Sequence, residues 1–187
     1  VCQTASDAVR RYDSPSVENE FYREANAFRH FIELVRDIDT FVIASLQGEM
    51  DFRFLGIALA CDYRIATDDS VFVNRFLDGD VFPGVVPWFL SRFVGHAKAT
   101  DILLESKTLS AKEAHQLGLV NRLTFPNNLT VESLALAERF AAKPTGALIA
   151  LKKSMVFWSE DFASYLDHVG TALGRIPRIT DVEGQAH

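Results

Sequence analysis

Leu55-Gly56-Ile57-Ala58-Leu59-Ala60-Cys61-Asp62-Tyr63-Arg64-Ile65-Ala66 decides the fold. Up to Cys61 nearly every position is apolar and many are small, which reads as a helix buried on most sides. From Tyr63 the pattern changes to a short strand, followed by a turn at Thr67-Asp68-Asp69-Ser70 and a second strand at Val71-Phe72-Val73. Upstream, Phe41-Val42-Ile43-Ala44-Ser45-Leu46-Gln47 is apolar, β-branched and closed by Gly48, so it reads as a buried strand. Strand, helix, strand and then mostly helices make an α/β core with a helical C-terminal region.

The flanks extend this pattern. Val1 to Pro15 reads as a loop, whereas Phe21, Ala25, Phe28, Phe31, Ile32 and Val35 recur at three- and four-residue steps and predict an amphipathic helix over 16–36. After Pro83-Gly84, helices are predicted over 85–93 and 96–105. Ser110-Ala111-Lys112-Glu113 is a capping box that opens a helix ending at Gly118. A strand is predicted at 120–123, and helices at 130–142, from Pro144 through Met155, and at 160–173. The division expected is a core at 1–125 and a helical, oligomerising region at 126–187.

Composition excludes several function classes. The 187 residues are 48% hydrophobic and 24% charged, which is the balance of a globular chain with a substantial core. Twenty-five acidic side chains against 19 basic ones argue against a phosphate-backbone partner, so no nucleic acid is expected. No run reaches the ~18 apolar residues of a membrane-spanning helix, and no basic-then-apolar leader opens the chain. Cytoplasmic location and no membrane partner are the expectations. Cys2 and Cys61 have no metal-ligand spacing and read as buried thiols, and no metal is expected. Asn128-Leu129-Thr130 fits a glycosylation sequon but reads as a helix approach. Gly-x-Ser-x-Gly, Gly-x-Gly-x-x-Gly and Walker patterns are absent from the sequence, and the five histidines read as surface or core residues.

Four motifs, taken in order, resemble one family. They are Ala58-Leu59-Ala60-Cys61-Asp62-Tyr63-Arg64-Ile65-Ala66, Pro83-Gly84, Val94-Gly95-His96-Ala97-Lys98-Ala99, and Leu109-Ser110-Ala111-Lys112-Glu113-Ala114-His115-Gln116-Leu117-Gly118-Leu119-Val120. Together they resemble the crotonase, or enoyl-CoA hydratase/isomerase, superfamily over residues 1–155, and Asp181-Val182-Glu183-Gly184 resembles the start of its last helix. The resemblance implies a crotonase-like spiral of ββα turns and assembly as a homotrimer or hexamer. It also implies an acyl-CoA or acyl-carrier thioester as substrate, with coenzyme A part of that substrate and no separate cofactor. Since the family begins with strands and a helix that would precede Val1, the N-terminal part of such a domain is expected to be missing.

The family holds a thioester oxyanion on two backbone N–H groups, the electrostatic device that contributes most to such chemistry. The alignment implied by the resemblance puts one donor at Ala5, within Val1-Cys2-Gln3-Thr4-Ala5-Ser6. The second lies in a glycine triplet at a helix N-terminus, where this chain has Phe52-Arg53-Phe54 and places Arg53 on the donor. Either Arg53 offers its guanidinium to a carboxylate or phosphate, or Phe52 and Phe54 fill the substrate space with Arg53 turned to solvent. The two hydratase glutamates would fall at Gly56 and Phe76, which cannot titrate, so two-carboxylate hydration is not expected.

Asp80 is the preferred substitute acid, against a plain turn role in Leu77-Asp78-Gly79-Asp80; Glu49, Asp51 and Asp78 are further candidates. Phe52, Phe76 and Gly84 are the substrate-binding candidates. Phe76, Phe82, Trp88 and Phe89 form an acyl pocket or a subunit contact if they are not core. Two readings follow: a lyase- or isomerase-type acyl-CoA enzyme, or a non-catalytic assembly subunit or degenerate paralogue.

Overall fold

A computed structural model describes residues 17–75 and 84–156. Helix α1 spans Val17–Asp37, and its Ile32 and Val35 are buried as the three-residue step requires. Strands β1 (Ile43–Leu46), β3 (Tyr63–Thr67) and β6 (Arg122–Thr124) form a parallel sheet in the order β1-β3-β6. Ile43 lies opposite Tyr63, and Ile65 opposite Arg122. A second sheet contains β2 (Glu49–Asp51), β4 (Val71–Val73) and β5 (Thr108–Ser110), with β2 parallel and β5 antiparallel to β4.

The first four strands therefore alternate between the two sheets. The chain leaves β1 for β2 and then enters helix α2 (Phe52–Ala60); it leaves β3 for β4 and then, farther on, forms helix α3 (Val86–Val94). That is the expected α/β course of two ββα turns. The short turn between β3 and β4 is held by the Thr67 and Ser70 hydroxyls, 2.7 Å apart. Leu55, Ile65, Phe72 and Leu90 are wholly buried between these layers.

Helices α4 (His96–Glu105), α5 (Ala111–Gln116), α6 (Leu129–Ala141) and α7 (Thr145–Val156) follow. The capping box at Ser110 is complete: Ser110 Oγ accepts the Glu113 N–H at 3.2 Å, and Glu113 Oε2 accepts the Ser110 N–H at 2.8 Å. The Ser110 hydroxyl also donates to Glu113 Oε2 at 2.6 Å, and this bond, followed by that from the Ser110 N–H, holds the exposed Glu113 carboxyl below its ordinary pKa.

Three expectations need correction. Strands β2 and β5 were not foreseen, because Glu-Met-Asp and Thr-Leu-Ser become strands only by pairing with β4. The last strand lies at 122–124 rather than 120–123: the Leu119 and Val120 N–H groups both turn back to the Ala114 carbonyl, closing α5. Pro144 precedes α7 instead of opening it, its carbonyl accepting from Ala147 and Leu148. The loop over 1–15 and the helix over 160–173 lie outside the described residues.

Candidate functional site at the head of helix α2

The last residue of β2 is also the cap of α2. Asp51 has extended backbone angles, φ −67° and ψ 150°, and its Oδ1 accepts the Arg53 N–H at 2.8 Å. A carboxylate here satisfies one of the helix's orphan donors and lies at the positive end of its dipole. The same Oδ1 accepts Arg53 Nε at 3.1 Å, so the guanidinium folds back over the cap. Both side chains are largely withdrawn from water, Arg53 at 17% and Asp51 at 12% exposure.

This arrangement matches neither of the two expectations for the triplet in full. Arg53 does not turn to solvent: it gives its guanidinium to a carboxylate, and that carboxylate is the chain's own. The two phenylalanines part company. Phe52 is packed into the core at 1% exposure, whereas Phe54 is 38% exposed at the surface.

Gly84 and Arg53 are brought together. A Cβ added at Gly84 would lie 3.8 Å from Arg53 Cγ and 3.4 Å from Phe28 Cε2, and the backbone there has φ +62°, which disfavours any other residue. One turn along α2, Gly56 packs closely against the start of α3. A Cβ at that position would meet Val86 Cγ2 at 2.9 Å, Val85 Cγ2 at 3.1 Å and the Val86 backbone nitrogen at 3.2 Å. The absence of a side chain at position 56 lets the helices pack closely there, and any larger residue would have to displace Val85 and Val86.

Of the remaining candidate acids, Glu49 is exposed and pairs with Arg75 Nη2 at 2.7 Å. Ala5, Phe76, Asp78, Asp80 and Phe82 lie outside the described residues, as do Cys2, His168 and His187. Trp88 and Phe89 are core: both are buried, edge to face at 4.7 Å, and Arg92 stacks 3.7 Å above the Trp88 ring centroid. His30 and His96 are exposed, while His115 Nδ1 lies 2.8 Å from the Val120 carbonyl. Burial, the largest influence, pushes the Cys61 thiol up to about 11, so it is no nucleophile at neutral pH. Among the described residues no group of three or more His, Cys, Asp or Glu could hold a metal ion, and no helix is long and apolar enough to cross a membrane.

A second charged cluster escaped the sequence reading. Lys152 of α7 is 1% exposed and donates to Asp62 Oδ2 at 2.8 Å and to the Thr40 carbonyl at 2.7 Å. The same carboxylate oxygen accepts the Val42 N–H at 2.7 Å. Nearby, the buried Arg64 donates from Nε to the Leu119 carbonyl at 2.6 Å and from Nη1 to the Cys61 carbonyl at 2.7 Å. Desolvation lowers the Arg64 pKa from its ordinary value, and these carbonyls satisfy the buried guanidinium. The side chains of Lys152 and Arg64 are thus spent on this chain's own backbone carbonyls and on Asp62, which makes the cluster a structural clamp.

Residues 13–164 match the enoyl-CoA hydratase/isomerase family. Among curated relatives, a 4-chlorobenzoyl coenzyme A dehalogenase of Arthrobacter sp is 28% identical over 130 residues, covering 69% of this chain and 47% of the relative. A putative enoyl-CoA hydratase of Thermus thermophilus is 30% identical over 135 residues, covering 69% and 53%. Among solved structures, a probable enoyl-CoA hydratase from Mycobacterium thermoresistibile superposes with a TM-score of 0.71 at 26% identity, covering 85% of this chain and 65% of that one. The chain thus spans about half the length of the curated relatives it matches, 47% and 53% of these two. With a family match over most of its residues and the same fold in solved relatives, the chain belongs to the enoyl-CoA hydratase/isomerase family.

Proposed function

We propose that the chain binds an acyl-CoA or acyl-carrier thioester with its carbonyl oxygen at the head of α2, and stabilises the enolate or oxyanion formed there without two-carboxylate hydration. The observation that carries this reading is the Arg53 amide, which already receives an anionic oxygen at 2.8 Å. A backbone N–H at a helix N-terminus that holds the Asp51 carboxylate has the direction and dipole to hold a thioester oxyanion. Ala5 is the proposed second donor and Asp80 the proposed acid or base, with Phe76 and Gly84 beside the acyl group. Phe52, packed in the core, supports the helix from behind. Gly56 supports the exclusion of ordinary hydration, since it has no group to titrate and an added Cβ would crowd Val85 and Val86.

Titration of the full chain with crotonyl-CoA, followed by the loss of enoyl absorbance, tests the reading. Saturable binding is expected, with hydration no faster than in buffer. An oligomeric, folded preparation that fails to bind any acyl-CoA overturns the thioester site, and rapid hydration overturns the proposed chemistry.

The contact between Asp51 and the Arg53 amide also favours a second reading, a non-catalytic family member whose donor is permanently capped. Turnover of any enoyl-, dienoyl- or β-keto-thioester above background removes that reading.

A further inference from the structure

We propose that Asp51 is an internal competitor for the thioester oxygen: its carboxylate occupies the Arg53 amide in the unliganded chain and must move onto the Arg53 guanidinium when a thioester binds. This inference rests on the proposed thioester site and names what controls it. Asp51 Oδ1 is shared between the amide, at 2.8 Å, and Nε of the same arginine, at 3.1 Å. A ligand oxygen that takes the amide therefore does not strand the carboxylate, because the second bond survives the exchange and its charge stays compensated. The guanidinium's stem runs beside Gly84, where an added Cβ would lie 3.8 Å from Arg53 Cγ.

The exchange is local. Asp51 and Arg53 are two residues apart, and neither of these bonds joins distant parts of the fold, so a small rotation of one carboxylate frees the amide. Asp51 is thus a positioning residue that tunes access to the donor rather than a group that transfers a proton.

The test compares crotonyl-CoA affinity in the wild-type chain with that in Asp51→Ala, Asp51→Asn and Arg53→Met. Asp51→Ala empties the amide and is expected to bind about ten-fold more tightly, equivalent to about 1.4 kcal/mol. Asp51→Asn keeps a neutral cap, which guards against loss of folding, and is expected to show a smaller gain in the same direction. Arg53→Met keeps the backbone N–H but removes the carboxylate's alternative partner, so binding is expected to weaken. Adding Asp51→Ala to Arg53→Met should abolish that weakening.

Isotope-edited infrared spectroscopy of the thioester carbonyl supplies a readout that a purely structural role would not move. The bound band should lie at lower frequency in Asp51→Ala than in wild type, because a freed donor polarises the carbonyl more strongly. Equal affinity and equal carbonyl frequency in wild type and both Asp51 variants overturn this inference while leaving the thioester site standing. No binding by any of the proteins overturns the site itself, and this inference with it.

Discussion

The head of α2 and the Lys152–Asp62 cluster both withdraw opposite charges from water, yet they are built in opposite ways. At the head of α2, Asp51 meets a residue two positions away, through its amide and its side chain. At the cluster, Asp62 meets Lys152, 90 residues later, together with the Val42 N–H, while Lys152 also reaches the Thr40 carbonyl. Removing a long-range partner disconnects α7 from the entry to β1, whereas removing a local one disturbs a single helix terminus. Burial alone therefore does not mark a functional site. On the proposed thioester site, partners that are close in sequence and replaceable by a ligand's atoms distinguish the α2 head from a clamp.

The sharpest way to break this comparison is at the clamp. Lys152→Met keeps most of the apolar stem but leaves the Asp62 carboxylate without its counter-charge, and is expected to cost about 3 kcal/mol, the lower end for a buried pair because Asp62 is 14% exposed. The shift in urea midpoint at unchanged slope measures it. Adding Asp62→Asn removes the stranded charge and should recover part of the loss. A single-variant cost below about 1 kcal/mol would place the pair among ordinary surface bridges and erase the contrast.

Gly56 tests the closed side of the α2 head. In Gly56→Ala, overpacking against Val85 and Val86 costs about 1–3 kcal/mol. Relief of glycine's poor helix propensity returns about 1 kcal/mol, leaving a net loss of about 1 kcal/mol. Gly56→Glu must also bury a carboxylate, so its loss should be the larger, and it should gain no hydration of crotonyl-CoA. Unchanged stability in Gly56→Glu would mean that α3 yields readily and that the closed space at position 56 does not exclude a catalytic acid.

These two regions were unequally legible in the sequence. The elements that frame them were readable because their signals are local: the β-branched run of β1, the step pattern of α1, and Ser110 with Glu113 opening α5. The head of α2 was half readable. Attention to Phe52-Arg53-Phe54 in place of glycines identified the right turn, but an aspartate immediately before an apolar helical run is itself a capping signal, and Asp51 was weighed only as an acid. Lys152 was invisible because nothing in Leu151-Lys152-Lys153 says which lysine turns inward; its partners lie at positions 40 and 62. Strands β2 and β5 were invisible for the same reason, three residues each with no pattern apart from β4.

Cys61 joins the two regions and gives the smallest effect. It closes α2, its carbonyl accepts from Arg64, and its thiol is raised to about 11, chiefly by burial. The unfolded chain's thiol titrates near 9, so between about pH 9 and 11 the unfolded state holds fewer protons than the folded one. Stability from this group is therefore fully present below pH 9 and declines as the pH rises toward 11. A Cys2→Ser background isolates the thiol: alkylation at pH 8 should be slow in the native chain and rapid in urea, and the decline above pH 9 should be shallower in Cys61→Ala. Rapid native alkylation would mean that the end of α2 is as open to exchange as its head, and that the boundary between the yielding and the fixed region does not lie within this helix.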